Sequence, residues 1–212
     1  MISPSGADER RFQGATPASM PPRFLAVGRF VAKKGPLDTL EAFALLQGLT
    51  DHADACSLVM VGDGPLLSVV QERAHQLGLE HLVQFPGVLS PDAVVQEMRR
   101  ARVFVQHSRT AEDGDEEGCP VSVMEAQLCG LPVVATRHGG IPDVVLDRQT
   151  GRLVEEGDHR GMAEAMALLA DRPELAAAWG AAGQRRTQAR FTVKHHVDQI
   201  TMLLNDLVDH RR

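Results

Sequence analysis

Residues 117–136 read Glu117-Gly-Cys-Pro-Val-Ser-Val-Met-Glu125-Ala-Gln-Leu-Cys-Gly-Leu-Pro-Val-Val-Ala-Thr136, and their pattern indicates the fold class. A Gly-x-Pro turn precedes an apolar segment that predicts a helix from about Ser122 to a stop at Gly130. A continuous apolar run at 132–135 then predicts a buried strand. A helix that follows one parallel strand and leads into the next exposes its first backbone N–H groups to an anion.

The carboxylates of Glu117 and Glu125 flank this helix start, one in the loop before it and one in its first turn. Carboxylates beside an anion site can hold hydroxyl groups, as an acidic residue holds ribose in dinucleotide sites. The stretch therefore predicts a ligand with phosphate at its middle and sugars at its ends. The alternative is a capping box, with Ser122 as N-cap and Glu125 reaching back to the N–H of Ser122. That alternative leaves Glu117 unexplained.

Strands alternate with helices along the rest of the chain. The strands are predicted at 24–27, 57–61, 82–85, 103–106, 132–135 and 152–154, and the other helices at 36–48, 65–77, 90–100, 159–170, 173–186 and 193–208. The strands are apolar runs without polar alternation, which is typical of a parallel sheet covered on both faces. We therefore expect an α/β, Rossmann-like, doubly wound sheet with additional C-terminal helices. Residues 1–22 are interpreted as a linker, 23–190 as the domain and 191–212 as a separate final helix.

Positive charge is concentrated in the loop after the first strand, between Gly28 and Gly35. The chain has lysine only at Lys33, Lys34 and Lys194, so two of its three lysines are adjacent in this loop. An arginine fork, Arg29, together with a lysine point charge can clamp a diphosphate. The alternative is a solvated basic turn.

Other loops that follow strands reach the same edge of the predicted sheet. Gly62-Asp-Gly-Pro65 is a turn where backbone can approach a ligand closely, but it is not the Gly-x-Gly-x-x-Gly fingerprint of dinucleotide sites. His107 and His138 also follow strands, and each is either structural or a ligand contact. The acidic residues at 112–116 are interpreted as a solvated loop, with no spacing that indicates a metal site.

Composition limits the partners of the chain. A net charge of −6 over 212 residues provides no basic field for nucleic acid. The three cysteines, Cys56, Cys119 and Cys129, lack metal-ligand spacing and indicate a reducing compartment. No apolar run reaches membrane-spanning length, and the first residues do not form a signal-peptide pattern. We expect a cytoplasmic protein.

Together these residues resemble the nucleotide-sugar-binding half of retaining GT-B glycosyltransferases of family 4. The matching pieces occur in the family's order. They are Ser3-Pro-Ser-Gly-Ala-Asp8 with Arg11-Phe12, Val27-Gly-Arg-Phe30 with Lys34-Gly35, Val61-Gly-Asp-Gly-Pro65, Phe85-Pro-Gly-Val88, the 117–125 segment, Gly130-Leu-Pro-Val-Val-Ala135 and Gly139-Gly-Ile-Pro142.

The resemblance implies a role for each matching residue. Arg29 and Lys34 would contact the donor diphosphate, together with the backbone amides of Val121, Ser122 and Val123. Glu125 would hold the ribose hydroxyls, and Glu117 would orient the donor sugar as the catalytic residue. The base would lie against Gly87 and Val88, and the further candidates at the ligand edge are Gly28, Gly62, Gly64, His107 and His138. No cofactor or metal is implied, because these groups can carry the charge of the leaving diphosphate.

The resemblance also implies a larger enzyme. A missing N-terminal domain would bind the acceptor, a glycan or lipid-linked glycan, and the final helix would cross back to it. That domain could place the enzyme at the inner face of the membrane. The reaction would move a sugar from a nucleoside diphosphate, uridine in preference to guanosine, to an acceptor hydroxyl with retention of configuration, in polysaccharide or glycoconjugate synthesis.

The resemblance leaves three other readings open. The chain alone is expected to be inactive as a transferase. The alternatives are a non-catalytic nucleotide-sugar-binding module and a sugar epimerase of the same fold, against which the Glu117–Glu125 element argues. An oxidoreductase domain is a more distant alternative, since the dinucleotide fingerprint is absent.

Overall fold

The computed structural model describes residues 6–209. Residues 3–5 of the first matching motif and the end of the predicted final helix, 210–212, lie outside this range. The core is one six-stranded sheet in the order β3-β2-β1-β4-β5-β6, and all five pairings between its strands are parallel. The strands are β1 (Arg23–Val27), β2 (Ser57–Val61), β3 (Val83–Gly87), β4 (Val103–Gln106), β5 (Val133–Thr136) and β6 (Gly151–Val154).

Helices cover both faces of this sheet. They are α1 (Pro36–Leu46), α2 (Leu67–Gln76), α3 (Pro91–Arg100), α4 (Val121–Cys129), α5 (Ile141–Val144), α6 (His159–Asp171), α7 (Pro173–Arg190) and α8 (Val193–Asp209). Successive β1 residues point to opposite faces, so Phe24 packs into the cluster under α1 and α6 whereas Leu25 packs into the cluster under α3 and α4. The predicted doubly wound α/β fold is thus confirmed.

Two element boundaries differ from the prediction for identifiable reasons. β3 continues through Pro86 to Gly87, which a strand at the edge of the sheet tolerates because proline costs it no ladder bond. α2 begins at Leu67 and not at Pro65, because the N–H of Leu66 donates to the carbonyl of Phe30 in the loop after β1. The one-turn helix α5 and three short 3-10 turns, at 17–19, 32–34 and 53–55, were not predicted from the sequence.

The strand order reverses between β1 and β4, and this is where a doubly wound sheet opens a crevice for ligand. The loops after these two strands lie side by side. The N–H of Arg109 donates to the carbonyl of Lys33 at 3.0 Å. Gly35 packs so closely that a Cβ there would lie 1.9 Å from the carbonyl oxygen of His107. The basic loop and the acidic loop therefore meet at one end of the sheet.

The described part of the N-terminal segment packs against the domain. Ala7 forms a bridge with Thr192, and the buried guanidinium of Arg102 donates to the carbonyls of Pro17, Met20 and Ala170. α8 leaves apolar side chains exposed at Val193, Val197, Ile200, Met202, Leu203 and Leu204, whereas the side chain of Leu207 lies outside the described residues. None of the helices within 6–209 combines the length and apolarity needed to cross a bilayer. The linker at 1–22 and the crossing role of 191–212 stay predictions.

Candidate functional site

The predicted site residues meet at the carboxyl ends of β1, β2 and β4. One pocket is lined by Gly28, Arg29, Lys34 and Gln106, and an adjoining groove by Arg29, Gly62, Gly64 and Val88. Arg29 lines both of them. The structure thus brings the candidate diphosphate residues Arg29 and Lys34 and the candidate base residue Val88 to one edge of the sheet.

Lys34 and Glu117 form an ion pair in this site. Lys34 Nζ lies 2.6 Å from Glu117 Oε2, and the side chains are only 18% and 13% exposed. The Lys34 stem runs over Gly28, where its Cδ lies 3.6 Å from the position a Cβ would take. Oε2 is buried and has no partner besides this ammonium among the described residues. The predicted diphosphate cation and the predicted sugar-orienting carboxylate thus neutralise each other while each keeps capacity for a ligand.

The other two cations of the basic loop have different surroundings. Lys33 Nζ lies 2.9 Å from Asp115 Oδ1 in the acidic loop, and this hydrogen bond raises the pKa of Lys33. Arg29 is exposed and makes no ion pair within the described range. Adjacent lysines therefore serve different carboxylates, and the guanidinium remains available to an anion in the groove.

The N-terminus of α4 is open, which corrects the capping-box prediction. The helix begins at Val121 with Pro120 in the N-cap position, and no side chain caps it. Ser122 Oγ instead donates to Gln106 Oε1 at 3.1 Å, which ties the first turn to the end of β4 and to the pocket. The prediction fails because Pro120 already holds the extended conformation that the cap requires. The N–H groups of Val121 and Ser122 are left to water or to an anion.

Glu125 lies just after the first turn of α4, because the helix begins two residues earlier than an N-cap at Ser122 would place it. It is half-buried, and its carboxylate has no hydrogen bond or ion pair among residues 6–209. Burial raises the pKa of Glu125, and the charge of Arg11 offsets this only in part. A half-buried carboxylate without a partner is costly. The cost would be offset by a ligand that donates hydroxyl hydrogens.

The glycines of the Gly62-Asp-Gly turn are required by packing between loops. A Cβ on Gly62 would lie 1.9 Å from the carbonyl oxygen of Gly28, and one on Gly64 would lie 2.6 Å from that of Phe30. The N–H of Gly62 donates to the carbonyl of Gly87 at 2.9 Å, and the next side chain, Val88, is 75% exposed. The turn thus fixes the Gly87–Val88 edge where a base is predicted to lie.

His107 lies beneath this edge with a fully buried ring and does not face the groove. Its Nε2 accepts the N–H of Gly157 at 2.8 Å, so the neutral ring carries its proton on Nδ1, which is buried without a hydrogen-bond partner. Burial lowers the pKa of His107 to about 4, which keeps the ring neutral at pH 7.

His107, Asp38 and His159 place three ligand-type atoms within 4.8 Å of one another, and they are the metal candidate among the described residues. A metal-bound histidine donates from its second ring nitrogen, whereas Nε2 of His107 accepts. The cluster therefore does not suit a metal ion.

His138 is buried behind Glu117. Its Nε2 accepts the backbone N–H of Glu117 at 2.9 Å, and its Nδ1–H donates to Glu156 Oε1 at 2.5 Å. Sequence reasoning missed both Glu156 and Gln106. Gln106 ends a strand on the ligand edge, which is a usable signal, but nothing in the sequence after β6 distinguishes Glu156 from Glu155.

The cysteines contribute no nucleophile. Burial raises the pKa of Cys119, beside Glu117, to about 11, and it does the same for Cys56 and Cys129. All three are free thiols, as the sequence indicated. At neutral pH they are protonated and act as packing groups.

Comparison with known proteins relates this site to one family. The family model described as glycosyl transferases group 1 matches residues 8–186. The putative colanic acid biosynthesis glycosyltransferase WcaL of Escherichia coli is 36% identical over 180 residues, which cover 82% of this chain and 43% of that protein. The GDP-mannose-dependent alpha-(1-6)-phosphatidylinositol monomannoside mannosyltransferase of Mycobacterium tuberculosis is 35% identical over 172 residues, which cover 80% and 44%. The chain thus spans less than half the length of these curated relatives.

Solved structures show the same architecture. Sucrose-phosphate synthase from Thermosynechococcus elongatus superposes with a TM-score of 0.84 at 25% identity, covering 99% of this chain and 53% of that one. Anabaena HepE in complex with UDP-glucose superposes with a TM-score of 0.81 at 22% identity, covering 95% and 56%. At such identities the likeness to HepE extends to the fold alone.

Proposed function

This chain belongs to the glycosyl transferases group 1 family, and we propose that it is the nucleotide-sugar-binding domain of a retaining family 4 enzyme. The enzyme would transfer a sugar from a nucleoside diphosphate to an acceptor hydroxyl of a glycan or lipid-linked glycan, in polysaccharide or glycoconjugate synthesis in the cytoplasm. A further domain would bind the acceptor. The observation that carries the proposal is the convergence of Arg29, Lys34 and the open N-terminus of α4 on the crevice between β1 and β4.

The diphosphate is the ligand group that this convergence fits best. Arg29 can hold phosphate oxygens as a planar fork, Lys34 can act as a point charge, and the N–H groups of Val121 and Ser122 add the positive end of a helix. Fixed charges of this kind stabilise a leaving diphosphate as negative charge develops on it. They supply this stabilisation without a metal ion.

An exchange of ion pairs would prepare Glu117 for the donor sugar. When diphosphate binds, Lys34 turns from Glu117 Oε2 to phosphate, and the carboxylate is released to accept hydrogen bonds from sugar hydroxyls. Glu125, whose carboxylate has no partner, accepts the ribose hydroxyls, and the base lies against Gly87 and Val88. Both steps use groups that the described structure leaves incompletely bonded.

Calorimetry with UDP, UDP-glucose, GDP and GDP-mannose tests this proposal. Both bases are included because the family resemblance favours uridine, whereas the mycobacterial relative is named GDP-mannose-dependent. We expect one nucleotide-sugar to bind more tightly than its own nucleotide. The Glu117→Ala variant should lose that increment while its nucleotide affinity stays the same or rises, because Lys34 becomes unpaired.

The control for this variant is Glu112→Ala, which removes an exposed carboxylate from the same acidic loop. It should change neither affinity. Equal weakening of nucleotide and nucleotide-sugar by Glu117→Ala would show that Glu117 does not act on the sugar.

A further inference from the structure

The loop that carries Glu117 is held by Glu156 directly at one end and through His138 at the other. Glu156 Oε2 accepts the N–H of Thr110, where the loop begins, at 2.9 Å. Glu156 Oε1 accepts the Nδ1–H of His138, and His138 Nε2 accepts the N–H of Glu117, where the loop ends. His138 and Glu156, together called the clasp, therefore connect the ends of a loop that has no regular secondary structure of its own.

The clasp requires one tautomer of the imidazole. Because Nε2 accepts an amide N–H, it must carry a lone pair, so the proton of the neutral ring lies on Nδ1. Glu156 stabilises that tautomer by accepting the proton. Burial of Glu156 acts to raise the pKa of its carboxyl, but the hydrogen bonds from His138 and Thr110 outweigh it and lower the pKa.

The backbone on either side of His138 adds to the hold on Glu117. The N–H of Gly140 donates to the carbonyl of Gly118 at 2.5 Å. Gly139, at φ 50°, approaches so closely that a Cβ would lie 2.0 Å from the carbonyl oxygen of Glu117. Gly139 and Gly140 thus hold the carbonyl groups of Glu117 and Gly118 in place. The Glu117 side chain extends to Lys34 in the site.

We propose that His138 and Glu156 are positioning residues that set the place of the Glu117 carboxylate relative to the donor sugar. The inference rests on the proposed function of Glu117. A carboxylate on an irregular loop reaches useful precision only if a supporting shell fixes its backbone, and displacement by about 1 Å is enough to weaken a site strongly. Neither clasp residue touches the groove, so both act through Glu117.

The tautomer is the first test, and it requires no ligand. Nitrogen-15 chemical shifts of the histidine rings at pH 7 should show His138 protonated on Nδ1 and unprotonated on Nε2. The amide proton of Glu117 should shift in His138→Ala and stay near its original position in His138→Gln, whose carbonyl can accept the same N–H. A ring protonated on Nε2 would overturn the proposal.

The second test is the ratio of nucleotide-sugar affinity to nucleotide affinity, measured with the UDP and GDP pairs. His138→Ala and Glu156→Ala should each lower that ratio about tenfold, the value of one lost hydrogen bond, and leave the nucleotide affinity unchanged. His138→Gln should recover most of the ratio. Glu155→Ala removes the neighbouring exposed carboxylate, 76% exposed, and should have no effect.

The outcomes of the two tests separate the clasp from the function of Glu117. An unchanged ratio in both alanine variants, or equal loss of nucleotide and nucleotide-sugar, would overturn the clasp as a positioning device. If the unmodified chain binds nucleotide and nucleotide-sugar equally, the proposed role of Glu117 in holding the sugar is wrong. In that case the tautomer of the His138 ring and the chemical shift of the Glu117 amide proton still show whether the clasp exists.

Discussion

At the scale of single residues, Lys33 and Lys34 are neighbours in sequence that have separate partners. Lys34 Nζ lies against Glu117 inside the site, whereas Lys33 Nζ lies against Asp115 on the acidic loop. Arg29→Ala and Lys34→Ala should each weaken nucleoside diphosphate binding by about 1.5–3 kcal/mol, the range for hydrogen bonds to charged groups. Lys33→Ala, the matched control, should have little effect in the same calorimetric titration. Equal losses at Lys33 and Lys34 would show that the loop acts through net charge alone.

The raised pKa of Glu125 gives a prediction in which stability and affinity separate. Burial disfavours the charged carboxylate in the folded state and so raises the pKa of Glu125. The contribution of Glu125 to stability is therefore greatest below its ordinary pKa, where the carboxyl is neutral. This contribution is lost as the pH rises through the raised pKa of the folded state. At pH 7 the Glu125→Gln variant should therefore melt at a higher temperature than the unmodified chain and bind nucleoside diphosphate more weakly. The melting difference should shrink below the ordinary pKa of 4.5, where both side chains are neutral.

Thermal melts of the two proteins from pH 4 to 8, with affinity measured at pH 7, check this. A Glu125→Gln variant that melts lower and binds normally would mean that the residue is structural and has no ribose role.

At the scale of elements, the contact between the basic loop and the end of β4 depends on Gly35. Gly35 has φ 50°, and a Cβ there would overlap the carbonyl oxygen of His107. Gly78 has a similar φ of 69°, but nothing lies within 4 Å of a Cβ at that position. The Gly78→Ala variant therefore measures the cost of a positive φ without any steric overlap. Gly35→Ala should lower the free energy of unfolding by about 1–3 kcal/mol more than Gly78→Ala, the range for overpacking. Chemical denaturation measures both, and similar losses would show that the two loops can separate freely.

The elements also show what sequence patterns can and cannot predict. All six strands were predicted, because buried parallel strands are continuous apolar runs whose signal is local. The start of α2 was wrong because the N–H of Leu66 bonds to the loop after β1. The capping box at α4 was wrong because Pro120 takes the N-cap position and the hydroxyl of Ser122 bonds to Gln106 at the end of β4. The glycine-bounded basic loop and both glutamates of the site stood out in sequence, whereas Glu156 did not. Its partners Thr110 and His138 are distant in sequence, and the pairing of β4 with β5 and of β5 with β6 brings them together.

At the scale of the whole molecule, the chain spans less than half the length of its curated relatives. The function proposed for its site is binding of the sugar donor alone. Transfer requires an acceptor hydroxyl held against the anomeric carbon, and such positioning supplies several kcal/mol of the barrier. We therefore expect the 212-residue chain to bind nucleoside diphosphate weakly, with a Kd on the order of 0.01–1 mM. It should not catalyse acceptor-dependent transfer.

Incubation with UDP-glucose or GDP-mannose and a panel of glycan acceptors, followed by assay of released nucleotide, tests this expectation. Release above the buffer rate that depends on acceptor would show that catalysis does not require a second acceptor-binding domain.

A crystal structure of the chain with UDP would show whether the crevice between β1 and β4 binds a diphosphate. We expect phosphate oxygens within about 3 Å of the backbone nitrogens of Val121 and Ser122 and of the Arg29 guanidinium. Lys34 Nζ should have moved from Glu117 to phosphate, and Glu125 should accept the ribose hydroxyls. A diphosphate bound elsewhere on the chain, with Lys34 still on Glu117 and the first turn of α4 unoccupied, would show that this crevice is not the diphosphate site.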